Sequence, residues 1–217
     1  MSRLRATVAV FARAPLPGHT KSRLIARLGA WGAARVHERL LEHALEVALA
    51  AGVRVELHGF PSARAQSLLK FARRYRVALV QQRGRDLGER MHHALASGLR
   101  RSRAVILIGS DIPGLRSAHL MEAARHLAAG RDAVLSPTED GGYALIGLRR
   151  VSRSLFQGIQ WGGAQVYGRT LEALERLDFR WRALSRVWDI DRPEDLDRFR
   201  QIRLRRSFSV GRRAARR

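Results

Sequence analysis

The loop from Phe11 to Leu24 concentrates residues that can bind phosphate. It holds three cations, Arg13, Lys21 and Arg23, and is stiffened by two prolines and a glycine. Lysine is rare in this chain, because only Lys21 and Lys70 occur beside many arginines. Guanidinium and ammonium groups grip phosphate oxygens through charge-assisted hydrogen bonds. The second glycine of a Walker A motif is missing, so we predict a phosphate-binding loop of another kind.

Isolated carboxylates follow two other apolar segments. Asp111 lies in the sequence GSDIPG, directly after the most apolar stretch of the chain. Mg²⁺ and Mn²⁺ take one or two carboxylates together with phosphate oxygens and water, and Asp111 suits that role. The alternative is an aspartate that begins a turn before Pro113. Asp189 and Asp191 alternate in WDIDRPED, so both can face one side of a strand, although Asp191 can also belong to a helix N-terminus.

The segment PTEDGGY, from Pro137 to Tyr143, is the fourth candidate. Gly141 and Gly142 allow the backbone to approach a ligand closely, and Asp140 precedes them. A tight hairpin turn explains the two glycines equally well, but it does not explain the additional acid, Glu139.

Two further segments give weaker indications. In QRGRDLGER, the backbone around Asp86 and Gly88 can receive a base or a ribose, or Asp86 can simply cap a helix. Trp161 lies in a glycine-rich stretch, where its indole can stack on a base or sugar or be buried in the core. The eight histidines show no metal-ligand spacing, since His92 and His93 point to different sides of a helix.

Composition restricts the class of protein. The chain has 217 residues, of which 46% are apolar and 28% charged, which is typical of a globular domain with one core. It has no cysteine, which excludes disulfide scaffolds, thiolate catalysis and cysteine-ligated metals. No apolar run is long enough to span a membrane. The net charge of +22 favours phosphorylated or polyanionic partners.

These loops must be held by alternating strands and helices. That alternation predicts an α/β fold with a mostly parallel, twisted sheet and helices on both faces, whose ligands bind beyond the carboxyl ends of the strands. The expected strands are Thr7–Phe11, Val53–Leu57, Val77–Val80, Ala104–Ile108, Ala133–Ser136, Tyr143–Leu148 and Arg182–Val187. The expected helices are Trp31–Ala51, Ser62–Arg74, Leu87–Leu99, Ser117–Ala129, Ala164–Leu177 and Pro193–Leu204.

The two ends of the chain need separate interpretations. The N-terminal apolar run is too short for a signal peptide and leads into a Pro-Gly loop, so we interpret it as a buried strand and expect a cytoplasmic protein. We expect one domain over residues 1–204, followed by a basic, disordered tail over residues 205–217.

Together, these segments resemble a bacterial family of glycosyltransferase-A-fold proteins, the radical SAM and selenodomain-associated transferase 1 family. Some of its members are called arsenosugar-biosynthesis-like glycosyltransferases. The matching stretches are FARAPLPGHTKSRL, DLGERM, GSDIPGL, PTEDGGYALIGL, IQWG and WDIDRPEDL. The layout is more distantly similar to guanylyltransferases that act on phospholactate or the molybdenum cofactor. The resemblance implies a nucleotide-diphospho-sugar transferase fold.

The resemblance also implies roles for particular residues. Arg13, Lys21 and Arg23 match positions that contact phosphates, although Arg13 stands where lysine is more usual. Asp111 matches the first metal carboxylate, and either Asp189 or Asp191 matches the second. In this scheme Lys21, Asp111 and Asp140 are catalytic, with Asp140 contacting or deprotonating an acceptor hydroxyl. Nucleotide contacts are expected from Arg13, Lys21, Arg23, Asp86, Gly88, Gly141, Gly142 and Trp161.

The expected activity is a Mg²⁺- or Mn²⁺-dependent transfer from a nucleotide-activated donor to a small acceptor. Glycosyl transfer from a nucleotide sugar is favoured. The alternative is nucleotidyl transfer, in which an NTP is joined to a phosphorylated small molecule. A basic nucleic-acid-binding protein is a rival of another class, but the chain carries no recognised nucleic-acid-binding motif, so a nucleic acid partner is not expected.

Overall fold

The computed structural model describes residues 6–190 and 194–196. Its sheet contains β1 (Ala6–Arg13), β2 (Arg54–Phe60), β3 (Ala78–Gln81), β4 (Ala104–Gly109), β5 (Ala133–Pro137), β6 (Tyr143–Leu148) and β7 (Trp181–Ala183). The helices are α1 (Ile25–Ala50), α2 (Gln66–Tyr75), α3 (Leu87–Leu99), α4 (Ser117–Ala128) and α5 (Val166–Arg176).

The strand order is β3-β2-β1-β4-β6-β5-β7, and β6 runs antiparallel to both of its neighbours. The predicted α/β class with a mostly parallel sheet is therefore confirmed. From β1 the chain first builds outward through β2 and β3, and then returns to place β4 on the other side of β1. The carboxyl ends of β1 and β4 thus flank a topological switch point, where open α/β sheets bind their ligands.

Side chains of β1 alternate between two apolar cores. Val8 and Val10 pack with α1, α2 and α4 on one face, whereas Ala9 and Phe11 pack with α3 and α5 on the other. This alternation follows from the two-residue period of a strand, and it requires β1 to be apolar on both faces. The central strand is thereby fixed, and with it the loop that follows Arg13.

Several predicted boundaries differ from the structure. Helix α1 begins at Ile25 rather than Trp31, because the chain is already helical before a kink at Gly29, where φ is 68°. Helix α5 begins at Val166 rather than Ala164. The last predicted strand is shorter, covering Trp181–Ala183, with a single further bridge from Val187. Apart from residues 194–196, the predicted last helix and the tail over residues 205–217 lie outside the described residues.

Helix length and hydropathy bear on membrane insertion. Over the described residues, none of the helices combines the length and apolar character needed to cross a bilayer.

Two helical glycines give a matched test of the packing. A Cβ at Gly98 would lie 2.6 Å from Cγ2 of the buried Val105, whereas a Cβ at exposed Gly168 meets no atom within 4 Å. We expect Gly98→Ala to cost about 1–3 kcal/mol through overpacking, and Gly168→Ala to add about 0.5–1 kcal/mol through helix propensity. Thermal unfolding of the two variants checks this. Equal melting temperatures would contradict the tight contact between α3 and β4.

Candidate active site

A cleft of about 680 Å³ opens at the carboxyl edge of the sheet. Its wall includes Arg13 at the end of β1, Asp111 after β4 and Asp140 in the β5–β6 hairpin. Asp189 also lines it, because Val187 pairs with Thr138 and carries the following residues past the hairpin. Loops that are far apart in sequence therefore meet in one cleft. Their positions directly after strands predict this, because the carboxyl ends of parallel strands lie at the same edge of a sheet.

Lys21 joins three of these loops. Its Nζ donates a hydrogen bond to Oδ2 of Asp111 at 3.0 Å and another to the carbonyl oxygen of Ile190. The Ile190 N–H in turn donates to the Asp111 carbonyl oxygen at 3.1 Å. Only 7% of the Lys21 side chain is exposed, against 40% of the Asp111 side chain. We call Lys21, Asp111 and Ile190 the lysine bridge.

The lysine bridge holds two unusual local features. Lys21 has φ 49° and ψ 47°, a left-handed conformation that costs a non-glycine residue about 1 kcal/mol or more. The two hydrogen bonds of its ammonium group offset that cost. Burial would raise the pKa of Asp111, but the Lys21 ammonium, with smaller contributions from His37 and the backbone N–H of Asp111, holds this pKa below its ordinary value. Asp111 is therefore a carboxylate at neutral pH.

Asp140 is fixed by its own loop. Its Oδ1 accepts hydrogen bonds from the Thr138 hydroxyl at 2.5 Å and the Gly142 N–H at 3.1 Å. Its Oδ2 has no hydrogen bond among the described residues. Gly141, with φ 89°, lies so close to Ala164 that a Cβ there would come within 2.0 Å of the Ala164 carbonyl oxygen. The two glycines thus form the tight hairpin turn, and the Gly142 N–H holds the Asp140 carboxylate so that its Oδ2 stays without a hydrogen bond from the part of the chain that the structure describes.

Asp189 shares the cleft with two other carboxylates. Burial, followed by the charges of Asp140 and Asp111, raises its pKa to about 6. The single ammonium of Lys21 lowers this pKa but does not compensate for the repulsion. This part of the cleft therefore has an excess of negative charge that a bound cation would relieve.

The carboxylates suit a divalent cation that binds together with a phosphorylated substrate. Across residues 6–190 and 194–196, no cluster of three or more Asp, Glu or His side chains forms a complete metal site. Asp111 and Asp189 nevertheless supply the one or two carboxylates that Mg²⁺ and Mn²⁺ take from proteins, and phosphate oxygens and water complete such shells. Asp191, the other predicted ligand, lies outside the described residues.

Cations line the cleft on the side of β1. Arg13, Lys21 and Arg23 all belong to it, as the sequence predicts, and so does Arg90, which was not predicted. The Arg90 guanidinium lies 4.3 Å from the centre of the Phe60 ring, and that of Arg13 lies 5.3 Å from it. Arg90 is part of the DLGERM stretch, but its sequence position alone does not reveal that α3 turns it into the cleft.

Two buried polar residues in the cleft were also missed. His37 of α1 is paired through Nε2 with the Arg13 carbonyl oxygen at 2.9 Å, so Nε2 carries a proton, and its buried Nδ1 has no partner among the described residues. Gln82 donates through Nε2 to the carbonyl oxygen of His58 at 2.7 Å. That bond fixes the orientation of the Gln82 amide and leaves Oε1 as its acceptor atom. Both roles depend on tertiary contacts that the sequence pattern does not show.

The remaining predicted residues lie to one side of the cleft. Asp86 caps α3, because its Oδ1 accepts from the Glu89 N–H at 2.8 Å, and it lines a second cavity together with Gly88. Trp161 lines both cavities. The Trp161 indole lies on the backbone of Gly88, where a Cβ would come within 2.7 Å of the indole Nε1.

This fold, with a carboxylate-bearing cleft at the switch point, is that of the nucleotide-diphospho-sugar transferases. A crystal structure of a candidate nucleotide-diphospho-sugar transferase from Desulfovibrio desulfuricans G20 superposes with a TM-score of 0.80 and 30% identity, covering 87% of this chain and 83% of that one. Residues 42–163 match the family described as "Uncharacterized protein conserved in bacteria (DUF2064)". The chain belongs to this bacterial family. No curated protein matches it.

More distant structures share the fold alone. Glucosyl-3-phosphoglycerate synthase from Mycobacterium tuberculosis, solved with Mn²⁺ and UDP, has a TM-score of 0.56 and 15% identity, over 88% of this chain and 74% of that one. A nucleotidyl transferase from Methanothermobacter has a TM-score of 0.59 and 16% identity, over 94% of this chain and 99% of that one. The same fold therefore serves both glycosyl and nucleotidyl transfer.

The two lysines of the chain allow a matched test of the lysine bridge. Lys21→Met removes a buried ammonium and leaves Asp111 and the Ile190 carbonyl without that donor, so we expect a loss of about 1–3 kcal/mol. Lys70→Met changes an exposed residue of α2 and should stay within about 0.5 kcal/mol of the wild type. Denaturant unfolding of both variants checks this. A Lys21→Met protein as stable as Lys70→Met would show that the bridge does not contribute to stability.

The raised pKa of Asp189 predicts that replacing this carboxyl group stabilises the protein at neutral pH but not at low pH. The folded state holds this proton more tightly than the unfolded chain, so the carboxyl lowers stability as pH rises from about 4 to about 6. Asp189→Asn should therefore raise the melting temperature at pH 7.5. Since the side chain is partly solvated, we expect the free energy of unfolding to rise by about 1 kcal/mol and the melting temperature by about 2–4 °C. The gain should vanish near pH 4, and a gain of the same size at both pH values would contradict the repulsion among the carboxylates.

Proposed function

We propose that the protein is a Mg²⁺- or Mn²⁺-dependent glycosyltransferase that uses a nucleotide sugar as donor and a small molecule as acceptor. The observation that supports this most strongly is the division of one cleft into a cationic side and a carboxylate side. Arg13 and Arg90 lie against the Phe60 ring at the end of β2, on the first side, and Arg23 also lines the cleft. Asp111, Asp140 and Asp189 come from the loops of β4, β5 and β7, on the other side of β1. Within the family, we propose that the chain is one of the radical SAM and selenodomain-associated transferases acting in the cytoplasm.

The cationic side suits the phosphates of the donor. Guanidinium groups form paired hydrogen bonds to phosphate oxygens and keep their charge throughout the reaction. Arg13 and Arg90 are held against the Phe60 ring, which limits their freedom before a ligand arrives. Negative charge that grows on a leaving nucleoside diphosphate would meet donors that are already in position, and such preorganisation accounts for much of enzymatic rate enhancement.

The carboxylate side would hold the cation. Asp111 and Asp189 are the proposed ligands, and when bound the cation neutralises the donor diphosphate and makes it a better leaving group. Lys21 keeps Asp111 ionised, and therefore ready to bind a cation at neutral pH.

Asp140 is the proposed base. Its Oδ1 is occupied by Thr138 and Gly142, so Oδ2 remains to accept a proton from an acceptor hydroxyl. The hydroxyl oxygen would attack the anomeric carbon of the donor sugar, and the bond from that carbon to the phosphate oxygen would break. The proton passes to Asp140 and the nucleoside diphosphate leaves, which balances atoms and charge.

Substitution of the two proposed ligands tests the shared cation. Asp111→Asn and Asp189→Asn keep the side-chain shape but remove a negative charge, so each should lower turnover by roughly 10²–10³. The double variant should be scarcely worse than the worse single one, because both act through one ion. In wild type, Mn²⁺ with UDP, GDP or CDP should raise the melting temperature, and each single variant should lose that effect.

Asp178→Asn is the matched control, because Asp178 is exposed, lies just before β7 and lines neither cavity. It should behave as wild type. Metal-dependent stabilisation that survives in Asp111→Asn would remove Asp111 from the proposed site, and multiplicative losses would exclude a shared ion.

The leaving group separates the two reactions that this fold supports. Glycosyl transfer releases a nucleoside diphosphate from a nucleotide sugar, whereas nucleotidyl transfer releases pyrophosphate from an NTP. Incubation with panels of both donor classes, followed by chromatography of the products, distinguishes them. Release of pyrophosphate alone would replace glycosyl transfer with nucleotidyl transfer and leave the proposed phosphate and metal contacts in place.

A further inference from the structure

A second cavity of about 400 Å³ lies beside the cleft, and the two share Trp161 as a wall. The second cavity is enclosed by the beginning of α3 and by the segment from Phe156 to Trp161. A molecule held there would lie next to the reaction cleft. We call this the side cavity.

Trp161 is a rigid platform in the side cavity. Its indole lies on Gly88, where no side chain is tolerated, and its ring centre is 6.4 Å from that of Phe156. An indole held in this way offers a flat, apolar face whose orientation costs little further entropy on binding. The C–H face of a sugar ring or another flat ring can stack on such a surface, as the amphipathic character of tryptophan favours.

The charged groups of the side cavity are already paired. Arg85 donates to Glu89 through Nη2 at 2.6 Å and Nε at 3.1 Å, and Arg153 lies 3.6 Å from the same carboxylate. Hydrogen bonds from Arg85 lower the pKa of Glu89 to about 2, so Glu89 stays ionised. With Asp86 engaged as the cap of α3, two cations face two anions. In a chain of net charge +22, this lining is neutral and does not select an anion.

Neutral polar groups, in contrast, remain available. The side chains of His92 and Gln157 line the side cavity and have no hydrogen-bond partner among the described residues. Burial, the neighbouring His93 and Arg153 all lower the pKa of His92, so its imidazole is neutral at pH 7. A neutral imidazole and an amide can each donate and accept, which is what hydroxyl groups require.

We infer that the side cavity binds the acceptor, and that the acceptor carries an uncharged, hydroxyl-bearing ring of the sugar type stacked on Trp161. This inference rests on the proposed function and narrows it. Trp161 also lines the cleft that contains Asp140, so a ring stacked on it lies beside the proposed base. The phosphorylated acceptor that nucleotidyl transfer requires would find no uncompensated cation in the side cavity.

Direct binding of simple sugars tests the inference. The probes are the methyl glycosides of glucose, galactose and mannose, with glucose 6-phosphate as the anionic comparison, observed by saturation-transfer NMR. We expect at least one methyl glycoside to bind saturably, and we expect glucose 6-phosphate not to displace it. Failure of all three glycosides to bind, or displacement of the bound glycoside by glucose 6-phosphate, would overturn the inference.

Variants locate the binding. Trp161→Ala should weaken binding of the glycoside at least about fivefold, and Trp161→Phe should retain most of it. Trp31→Ala is the matched control, because Trp31 is 77% exposed and lines neither cavity, so it should change binding less than about twofold. If Trp161→Ala does not fold, the double variant His92→Leu and Gln157→Leu gives the same test. Unchanged binding in that double variant would place the sugar elsewhere.

A second measurement on the same proteins separates this inference from the proposed function. Mn²⁺-dependent stabilisation by UDP, GDP or CDP reports on the cleft and not on His92 or Gln157. Wild type that shows this stabilisation but binds no glycoside would overturn only the inference. Wild type that binds a glycoside but shows no Mn²⁺-dependent effect of any nucleotide would overturn the proposed function.

Discussion

The ion pair between Lys21 and Asp111 organises the site. The two residues are 90 positions apart, yet their 3.0 Å contact joins the loop after β1 to the loop after β4. The same ammonium reaches the Ile190 carbonyl, which brings the segment with Asp189 against both loops. Because Lys21 holds a left-handed backbone conformation, the loop would relax if this contact were lost. The positions of the proposed metal ligands thus depend on one ammonium group.

Charge is distributed in the cleft by topology rather than by local sequence. Basic residues come from the loop after β1 and from α3, whereas the acids come from the far side of the switch point. The antiparallel β6 matters here, because its hairpin with β5 delivers Asp140 to the carboxyl edge through a short loop. The side cavity has no such imbalance, since Arg85 and Glu89 cancel within it. This contrast is the basis for assigning the anionic donor to the cleft and the neutral acceptor to the side cavity in the function that we propose.

The sequence predicts the sheet and the main carboxylates, but not the groups that support them. Leu87–Leu99 and Tyr143–Leu148 have the predicted bounds, because an amphipathic pattern marks the helix and a continuous apolar run marks the strand. The helical turn before Gly29 was missed, since Arg27 and Gly29 interrupt its apolar pattern. Asp111 was found because it follows an apolar strand. His37 and Arg90 were not, because a helix position carries no local sign of facing a ligand. Gln82 was not, because nothing in the residues after β3 shows that its amide bonds back to the His58 carbonyl oxygen and lines the cleft.

The scarcity of lysine gives the protein a built-in chemical reporter. Apart from the amino terminus, the primary amines are the exposed Lys70 and the 7% exposed Lys21. An amine-reactive reagent should therefore modify Lys70 quickly and Lys21 slowly, since a charged and enclosed ammonium is a poor nucleophile. Any ligand that draws Asp111 away from Lys21 would expose the Lys21 amine to the reagent. The extent of modification of the peptide that contains Lys21 would then measure how often the Lys21–Asp111 contact is broken.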